Sequence, residues 1–362
     1  MANRRRARIL GVGLLVLFAT LLAGATLPGP VDPLPYRPDR KPELAGPLRP
    51  DATLTAVERV ELGPGSGPED VERDDFGGLY AGLASGVIAR PGPRVGSVEP
   101  FADTGGRPLG LDLDRDGTLW VADAERGLLS VSSWGEVAVR ADQAAGRSVG
   151  FADDVDTAPD GTVFFSDAST RFPLERIHLE PLEARPWGRL LRYDPRDDRT
   201  EVVLDGLYFA NGVAVSRDGA FVLVAETFRY RIRRIWISGA RAGQDEVFAD
   251  NLPGFPDGVS LNPRGNFWVA IYSIRNDLLD RVLHPRPWLK RLAARLPAPL
   301  LSGARAYGLV LEIGPDGTLL RSLHDPTGET FPYVTSVEEW DGTLYLGSVE
   351  GSAVGRLPLT RP

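Results

Sequence analysis

The sequence predicts an all-β protein, a six-bladed β-propeller that follows an N-terminal hydrophobic anchor helix. One repeated pattern predicts the propeller: a lead residue, a short strand, a turn about seven residues after the lead residue, and a second apolar strand. The clearest copy runs from Asn211 through the Asp218-Gly219 turn to Glu226. The 362 residues include 41 Gly and 31 Pro, which suits many short strands and turns rather than long helices.

The pattern occurs six times along the chain. The lead residues are Glu69, Leu109, Asp153, Asn211, Asp257 and Thr335. Most of them are separated by 40 to 58 residues, which is near the length of one four-stranded blade. Because such repeats cannot bury their apolar faces alone, they must stack, and a closed ring leaves only short, protected sheet edges. An open sandwich is the alternative, and the near-constant distance from lead residue to turn favours the propeller.

Composition excludes several classes of function. The net charge is −8, and residues 1–50 carry eight Lys or Arg against three Asp or Glu, so the rest of the chain is acidic. Such a surface argues against nucleic-acid binding, which needs a basic footprint. The absence of cysteine excludes disulfides, thiolate nucleophiles and Cys-based metal sites, and it permits export. With three histidines, a His-rich zinc site is also not expected.

The N-terminal segment, residues 1–26, predicts export of the propeller. Four arginines within the first eight residues precede a 17-residue run, residues 9–25, that contains no charged side chain. As a helix this run would be about 25 Å long, at the short end of what spans a bilayer. The basic flank predicts a retained single-pass anchor with a cytoplasmic N-terminus. The alternative is a signal peptide cleaved after Ala23-Gly24-Ala25, which would leave the propeller secreted or periplasmic.

Composition also divides the rest of the chain. Residues 27–53 are rich in proline and predict an extended tether, and residues 54–358 hold the propeller. A helical lid insertion is predicted at about residues 276–300, with apolar residues at helical spacing and Lys290 and Arg291 elsewhere on the turn. Three roles are open for it: covering the channel mouth, leaning on a membrane with its basic side, or packing on a blade edge without a further role.

The polar lead residues predict a metal site. Equivalent positions of a propeller form a ring around its central channel, and four lead residues carry hard oxygen atoms. They are Glu69, Asp153, Asn211 and Asp257. Three converging carboxylates would repel one another without a cation, whereas Ca²⁺ accepts six to eight oxygen ligands in flexible geometry. Calcium, or another divalent cation, is therefore the expected cofactor. The alternative is that these residues only suit turns and strand ends.

At these residues the sequence resembles the strictosidine synthase-like family, and within it the membrane-anchored adipocyte plasma membrane-associated proteins. The most specific motifs are Leu252-Pro253-Gly254-Phe255-Pro256-Asp257 and residues 224–227 with 231–234. Further matching segments are residues 67–70, 151–154, 188–194, 209–213, 286–291, 322–326 and 341–348. The likeness covers about residues 60–358, and a short N-terminal anchor before the propeller is part of the family pattern.

The resemblance implies a six-bladed propeller related to the paraoxonases and to regucalcin-type gluconolactonases. Those relatives use calcium or another divalent ion in the channel to hydrolyse lactones and esters. By position, Glu69, Asn211 and Asp257 look like the metal ligands of the relatives, whereas Asp153 stands where the relatives have Asn. Strictosidine synthases carry a catalytic Glu shortly before the final turn, and Thr335 occupies that position here. Strictosidine synthesis is therefore not expected.

These observations predict a metal-dependent hydrolase whose substrates are small-molecule lactones or aryl esters. The metal would polarise the substrate carbonyl and stabilise the oxyanion, while Asp257 or Asp154 would activate water as the catalytic base. The residues leave open which of the two is the base, which substrate binds, and the oligomeric state. The alternative function is a non-catalytic propeller that binds a ligand or partner and holds calcium as a structural ion.

Overall fold

The computed structural model describes residues 28–62, 67–74, 76–91, 98–301 and 303–359. Within these residues the chain forms six four-stranded antiparallel sheets and one two-stranded hairpin. The six sheets are the blades of a propeller, which confirms the all-β, six-bladed architecture predicted from the repeats. The predicted anchor helix at residues 9–25 lies outside the described residues. In the described part, the structure holds no helix that is both long and apolar enough to span a bilayer.

The strands follow the chain blade by blade. The first strand is β1 (Glu58–Glu61), which belongs to the sixth blade. The first blade is β2 (Val71–Arg73), β3 (Leu79–Gly82), β4 (Val87–Pro91) and β5 (Val98–Asp103), and the second is β6 (Pro108–Leu113), β7 (Leu119–Asp123), β8 (Gly127–Val131) and β9 (Val137–Ala141). The hairpin is β10 (Gln143–Ala144) and β11 (Arg147–Ser148). The third blade is β12 (Ala152–Thr157), β13 (Val163–Asp167), β14 (Gly188–Asp194) and β15 (Arg199–Leu207), and the fourth is β16 (Ala210–Val215), β17 (Phe221–Glu226), β18 (Arg231–Trp236) and β19 (Asp245–Ala249). The fifth blade is β20 (Gly254–Leu261), β21 (Phe267–Ile274), β22 (Gly308–Ile313) and β23 (Leu319–Asp325), and the sixth adds β24 (Ser336–Trp340), β25 (Thr343–Gly347) and β26 (Ala353–Pro358) to β1.

Helices are short and lie between the strands. The α-helices are α1 (Glu180–Glu183) and α2 (Pro287–Ala293), and a π-helix covers Leu278–Leu283. Short 3-10 helices cover Gly46–Leu48, Thr53–Ala56, Leu174–Leu179, Thr227–Arg229, Gly239–Arg241 and Ala298–Leu300.

The chain divides into two compact units. The propeller unit comprises Asp39–Leu174, Pro186–Arg275 and Ala304–Pro362. The insertion unit comprises Met1–Pro38, of which residues 28–38 are described, together with Glu175–Arg185 and Asn276–Gly303.

The first strand of the propeller completes its last blade. β1 pairs antiparallel with β26, so that Glu58 lies opposite Arg356 and Glu61 lies opposite Ala353. The outermost strand of the sixth blade therefore comes from the N-terminal side of the propeller. Backbone hydrogen bonds between these two ends of the domain close the ring. Closure is needed because a single blade cannot bury both of its faces alone.

Buried carboxylates at the ends of second strands fix the backbone that leads into the blades. In the third blade, Asp167 Oδ1 accepts hydrogen bonds from the backbone N–H groups of Gly150 and Phe151, both at 3.0 Å. Asp123 and Glu226 accept equivalent bonds in the second and fourth blades. These three side chains are fully buried, and they hold the chain two or three residues before each lead residue.

Residues 39–53, the C-terminal part of the predicted tether, belong to the propeller unit. Leu48 is buried in this stretch, and Leu54 directly after it belongs to a core cluster that includes Trp268. The prolines exclude long regular elements here. They do not prevent single leucines from docking on apolar surface, so the segment lies against the propeller where an extended tether was expected.

Candidate functional site

The polar lead residues lie where the innermost strands depart from regular pairing. In four blades the register between the innermost strand and its neighbour shifts, and each irregular stretch contains one lead residue, which is polar in three of them: Asp153, Asn211 or Asp257. The shifts span residues 108–111, 152–155, 210–213 and 256–259. A bulge of this kind bends the strand and re-aims the side chain it carries. These three side chains therefore do not follow the regular alternation of side chains between the two faces of the strand, and all three are buried.

Glycine follows two of these lead residues because the inner strand of the next blade passes directly against it. A Cβ atom on Gly212 would lie 2.2 Å from the carbonyl oxygen of Asp257. A Cβ atom on Gly258 would lie 2.6 Å from the carbonyl oxygen of Thr335. The Asn-Gly and Asp-Gly pairs are therefore required by close strand packing around the channel, and not by turn preference.

Burial raises the pKa values of the three carboxyl groups in the ring, and neighbouring carboxylates add to the shift at Glu69 and Asp153. Burial raises the pKa of Glu69 well above its ordinary value, and the nearby charges of Asp257 and Asp153 raise it further. Burial and Asp257 likewise raise the pKa of Asp153. Burial raises the pKa of Asp257 to about 8, although a hydrogen bond from the Asn211 side chain opposes the shift. The four polar lead residues predicted from the sequence therefore come together as one electrostatic group.

A buried arginine, which the sequence analysis did not identify, lies beside this group. Burial lowers the pKa of Arg107, and the charges of Glu69 and Asp153 oppose that shift. Its Nη2 donates a hydrogen bond to the carbonyl oxygen of Gly67 at 2.7 Å. The guanidinium therefore offsets part of the negative charge of the ring. In the sequence, Arg107 is marked only by its position two residues before Leu109, the lead residue of the second blade, which is apolar.

Asp154, one of the two predicted bases, is occupied by backbone donors. Its Oδ1 accepts a hydrogen bond from the N–H of Val155 at 2.8 Å, and its Oδ2 accepts one from the N–H of Val213 at 2.7 Å. Val213 belongs to the next blade, so the carboxylate bridges two blades. Asp70 makes the same bridge from the first blade to Leu111 of the second. The Asp154 carboxylate therefore makes a structural contact between the third and fourth blades.

A second acidic ring lies three residues after the lead residues. It comprises Glu72, Asp112, Asp156 and Glu338, together with Ala214 and Ser260 at the equivalent positions. Its four carboxylates line a cavity of about 610 Å³ that Glu69 also lines. Burial raises the pKa values of all four, that of Asp112 to about 6. A comparison of the position three residues after each lead residue would have revealed this ring in the sequence.

The donor set fits a hard divalent cation in its chemistry. As they stand in the described part of the chain, no three His, Cys, Asp or Glu side chains are arranged to hold a metal ion. Three buried carboxyls and one amide side chain nevertheless present oxygen atoms, and the raised pKa values follow from burial and from charge left uncompensated between them. Glu69, Asp153, Asn211 and Asp257 are the residues that would hold the cation.

Thr335 joins the last blade to the first. Its Oγ1 donates a hydrogen bond to the carbonyl oxygen of Glu69 at 2.6 Å, and its side chain is buried. The position at which strictosidine synthases are expected to carry a catalytic Glu therefore holds a hydroxyl that is already engaged in ring closure.

Comparison with known proteins identifies relatives over nearly the whole chain. Residues 153–240 match the strictosidine synthase family, and residues 46–90 match the N-terminal region of strictosidine synthase-like proteins. The chain is 36% identical to the adipocyte plasma membrane-associated protein of Homo sapiens, over 97% of this chain and 91% of that protein. It is also 36% identical to the Arabidopsis thaliana protein strictosidine synthase-like 10, over 80% of this chain and 84% of that protein.

Solved structures share the fold at low sequence identity. A gluconolactonase from Xanthomonas campestris superposes with a TM-score of 0.61 at 17% identity, covering 92% of this chain and 99% of that protein. The calcium-binding protein regucalcin from Agrobacterium tumefaciens superposes with a TM-score of 0.57 at 14% identity, covering 85% of this chain and 98% of that protein. At such identities the superpositions establish the common fold alone.

Proposed function

The chain belongs to the strictosidine synthase-like family, together with the adipocyte plasma membrane-associated proteins, and on that premise we propose that it is a divalent-metal-dependent hydrolase of lactones or aryl esters. The observation that carries this proposal is the ring of polar lead residues, in which four blades contribute buried oxygen ligands to one group. The gluconolactonase and the calcium-binding regucalcin that share the fold support the substrate class and the ion.

The residues of the ring and their neighbour Asp154 have different roles in the proposed hydrolysis. A bound divalent cation supplies Lewis-acid stabilisation of the oxygen charge that develops on the substrate carbonyl. Asp257 takes up the proton of the attacking water on its carboxylate. Burial raises the pKa of this carboxyl to about 8 in the metal-free chain, and the charge of a bound cation would lower it, which keeps the side chain ionised as a base. Asn211 holds that carboxylate in place through its side-chain hydrogen bond. Asp154, which bridges two blades, maintains the spacing of the strands that carry these groups.

Replacing Asp154 with asparagine should cost stability more than activity. Asparagine turns an N–H₂ group toward one of the two backbone N–H groups that the carboxylate now accepts from. We expect the free energy of unfolding to fall by about 1 to 3 kcal/mol, the usual cost of leaving a buried hydrogen-bonding group unsatisfied. Urea unfolding and initial hydrolysis rates would measure the two effects. Hydrolysis abolished at unchanged stability would instead identify Asp154 as the base.

Hydrolysis of a panel of lactones and aryl esters by the full chain in detergent tests the proposal. The rates are measured with calcium, after chelation, and after calcium is restored. Activity that disappears on chelation and returns with calcium supports a metal-dependent hydrolase.

A non-catalytic binding propeller with a structural calcium is the second candidate function. It is favoured by the name of the adipocyte plasma membrane-associated relatives, which states a location and no reaction. A chain that hydrolyses no member of the panel, while calcium still raises its melting temperature, would support this candidate.

We also infer a location at a membrane, with the propeller exported. The hydrophobic run of residues 9–25 with its basic flank supports a retained anchor with a cytoplasmic N-terminus. The name of the human relative supports membrane association. Cleavage of the same segment as a signal peptide would leave a secreted or periplasmic protein.

A further inference from the structure

The insertion unit concentrates exposed apolar side chains. The described residues include thirteen large hydrophobic side chains that are exposed, and five of these lie between Asn276 and Gly303. They are Leu278 (58% exposed), Val282 (39%), Trp288 (50%), Leu296 (49%) and Leu300 (69%). A cluster of this kind on a short segment indicates a surface that binds a partner or a membrane.

Helix α2 in this unit buries a charged side chain and exposes an aromatic one, the reverse of the usual arrangement in a surface helix. Lys290 and Ala294, one helical turn apart, are both buried. The Lys290 Nζ donates a hydrogen bond to the carbonyl oxygen of Leu34 at 2.7 Å, within the same unit. Trp288, two residues from Lys290 and therefore about 200° around the helix, is half exposed. The sequence places Lys290 away from the apolar side of this helix, whereas the structure buries its side chain.

Basic groups accompany the exposed apolar side chains. Residues 276–303 contain five Arg or Lys and two Asp, whereas the whole chain carries a net charge of −8. Arg281 and Arg286 are exposed, and Arg286 donates hydrogen bonds to the carbonyl oxygens of Arg281 and Val282. Exposed tryptophan, leucine and arginine side chains within one short segment are typical of segments that lie in the headgroup region of a bilayer.

The insertion unit also lies close in the chain to the predicted membrane anchor. The Arg295 Nη2 donates a hydrogen bond to the carbonyl oxygen of Pro28 at 3.2 Å. Pro28 follows Ala25, the last residue of the hydrophobic run, by three residues. Three residues of extended chain reach about 10 Å. If the run at residues 9–25 spans the bilayer, then Arg295 and its neighbour Leu296 lie within reach of the headgroups.

We propose that the exposed apolar face of the insertion unit binds the surface of a lipid bilayer that contains anionic headgroups. Trp288, Leu296 and Leu300 enter the boundary between headgroups and acyl chains, and the arginines contact the anionic headgroups. If residues 9–25 are retained as the predicted anchor, they hold the unit near the bilayer, so that the effective concentration of the surface is high and a weak individual affinity suffices. This contact is independent of the hydrolase chemistry.

Tryptophan quenching in proteoliposomes tests the proposal with the full chain. The chain is reconstituted into vesicles of phosphatidylcholine and phosphatidylglycerol, with or without lipids brominated near the top of the acyl chain. We expect brominated lipid to quench part of the tryptophan fluorescence, and Trp288→Phe to remove that part. Trp134→Phe removes an 88%-exposed tryptophan of the propeller unit and should leave the quenched part of the fluorescence unchanged. Leu296→Asp, at an exposed site, should reduce the quenching of Trp288 without changing the melting temperature.

Other outcomes would overturn the proposal. Equal quenching of the wild-type chain and of Trp288→Phe would show that the tryptophan does not reach the acyl chains. Loss of the quenched component in Trp134→Phe would place the bilayer contact on the propeller instead. A dimer by light scattering that Leu296→Asp converts to a monomer, with no quenching of Trp288, would make a second copy of the chain the partner of this face.

Discussion

Replacing Asp257 with asparagine is expected to lower kcat/KM for lactone or ester hydrolysis by about 100- to 1,000-fold. Asparagine keeps the shape of the side chain but cannot take a proton from water. Burial raises the pKa of the Asp257 carboxyl to about 8, so this side chain is already mostly uncharged at neutral pH in the metal-free chain, and a neutral asparagine of the same shape should not unfold the protein. Initial rates on the most rapidly hydrolysed substrate of the panel, at saturating calcium, would measure the effect.

Asp250→Asn is the matched control for this substitution. Asp250 is exposed in the loop that precedes the fifth blade, so the same chemical change there should leave kcat/KM within about twofold of the wild-type value. The calcium dependence separates the two roles of Asp257. If higher calcium restores the rate of Asp257→Asn to that of the wild type, Asp257 is a ligand and another group is the base. If the rate stays low at every calcium concentration, Asp257 is needed for proton transfer.

The sequence was sufficient to predict the lead residues because a repeat places equivalent residues at equivalent points of the ring. The offset from each lead residue to its turn is set by strand length and by a glycine with positive φ, such as Gly161 at +86°. Strand length and turn chemistry are local properties, so they can be recognised without knowledge of the fold. The six blades and the grouping of Asp153 with Asp257 follow from this local regularity.

The remaining features depend on contacts that no local pattern contains. Arg107 enters the ring because its guanidinium reaches the carbonyl oxygen of Gly67, forty residues earlier in the chain. Lys290 is buried because it donates to the carbonyl oxygen of Leu34, in a segment more than two hundred residues away. Helical periodicity predicts a helical insertion at about residues 276–300, in which the structure forms α2 at Pro287–Ala293, but periodicity could not decide which side of the helix would find such a partner.

Without a divalent cation, the protein should become less stable as the pH rises from 5 to 8. The raised pKa values mean that the folded chain keeps protons on carboxyls that the unfolded chain has already released. The contribution of the Asp257 carboxyl to the free energy of unfolding is fully present below pH 3.8, the ordinary pKa of Asp. This contribution is lost as the pH rises toward about 8, the pKa of the same group in the folded chain. One carboxyl that stays protonated from pH 5 to pH 8 corresponds to a loss of up to about 4 kcal/mol. Urea unfolding in the presence of a chelator at several pH values would measure it.

Calcium should reverse this trend, because a cation replaces the protons as the compensating charge. Its stabilising effect should therefore be larger at pH 8, where the cation displaces fewer protons, than at pH 5. Asp257→Asn should flatten the pH dependence of the metal-free chain, since the substituted side chain no longer titrates. A metal-free stability that rises between pH 5 and pH 8 would contradict the electrostatic description of the ring. A calcium effect that is equal at both pH values would place the ion away from these carboxylates.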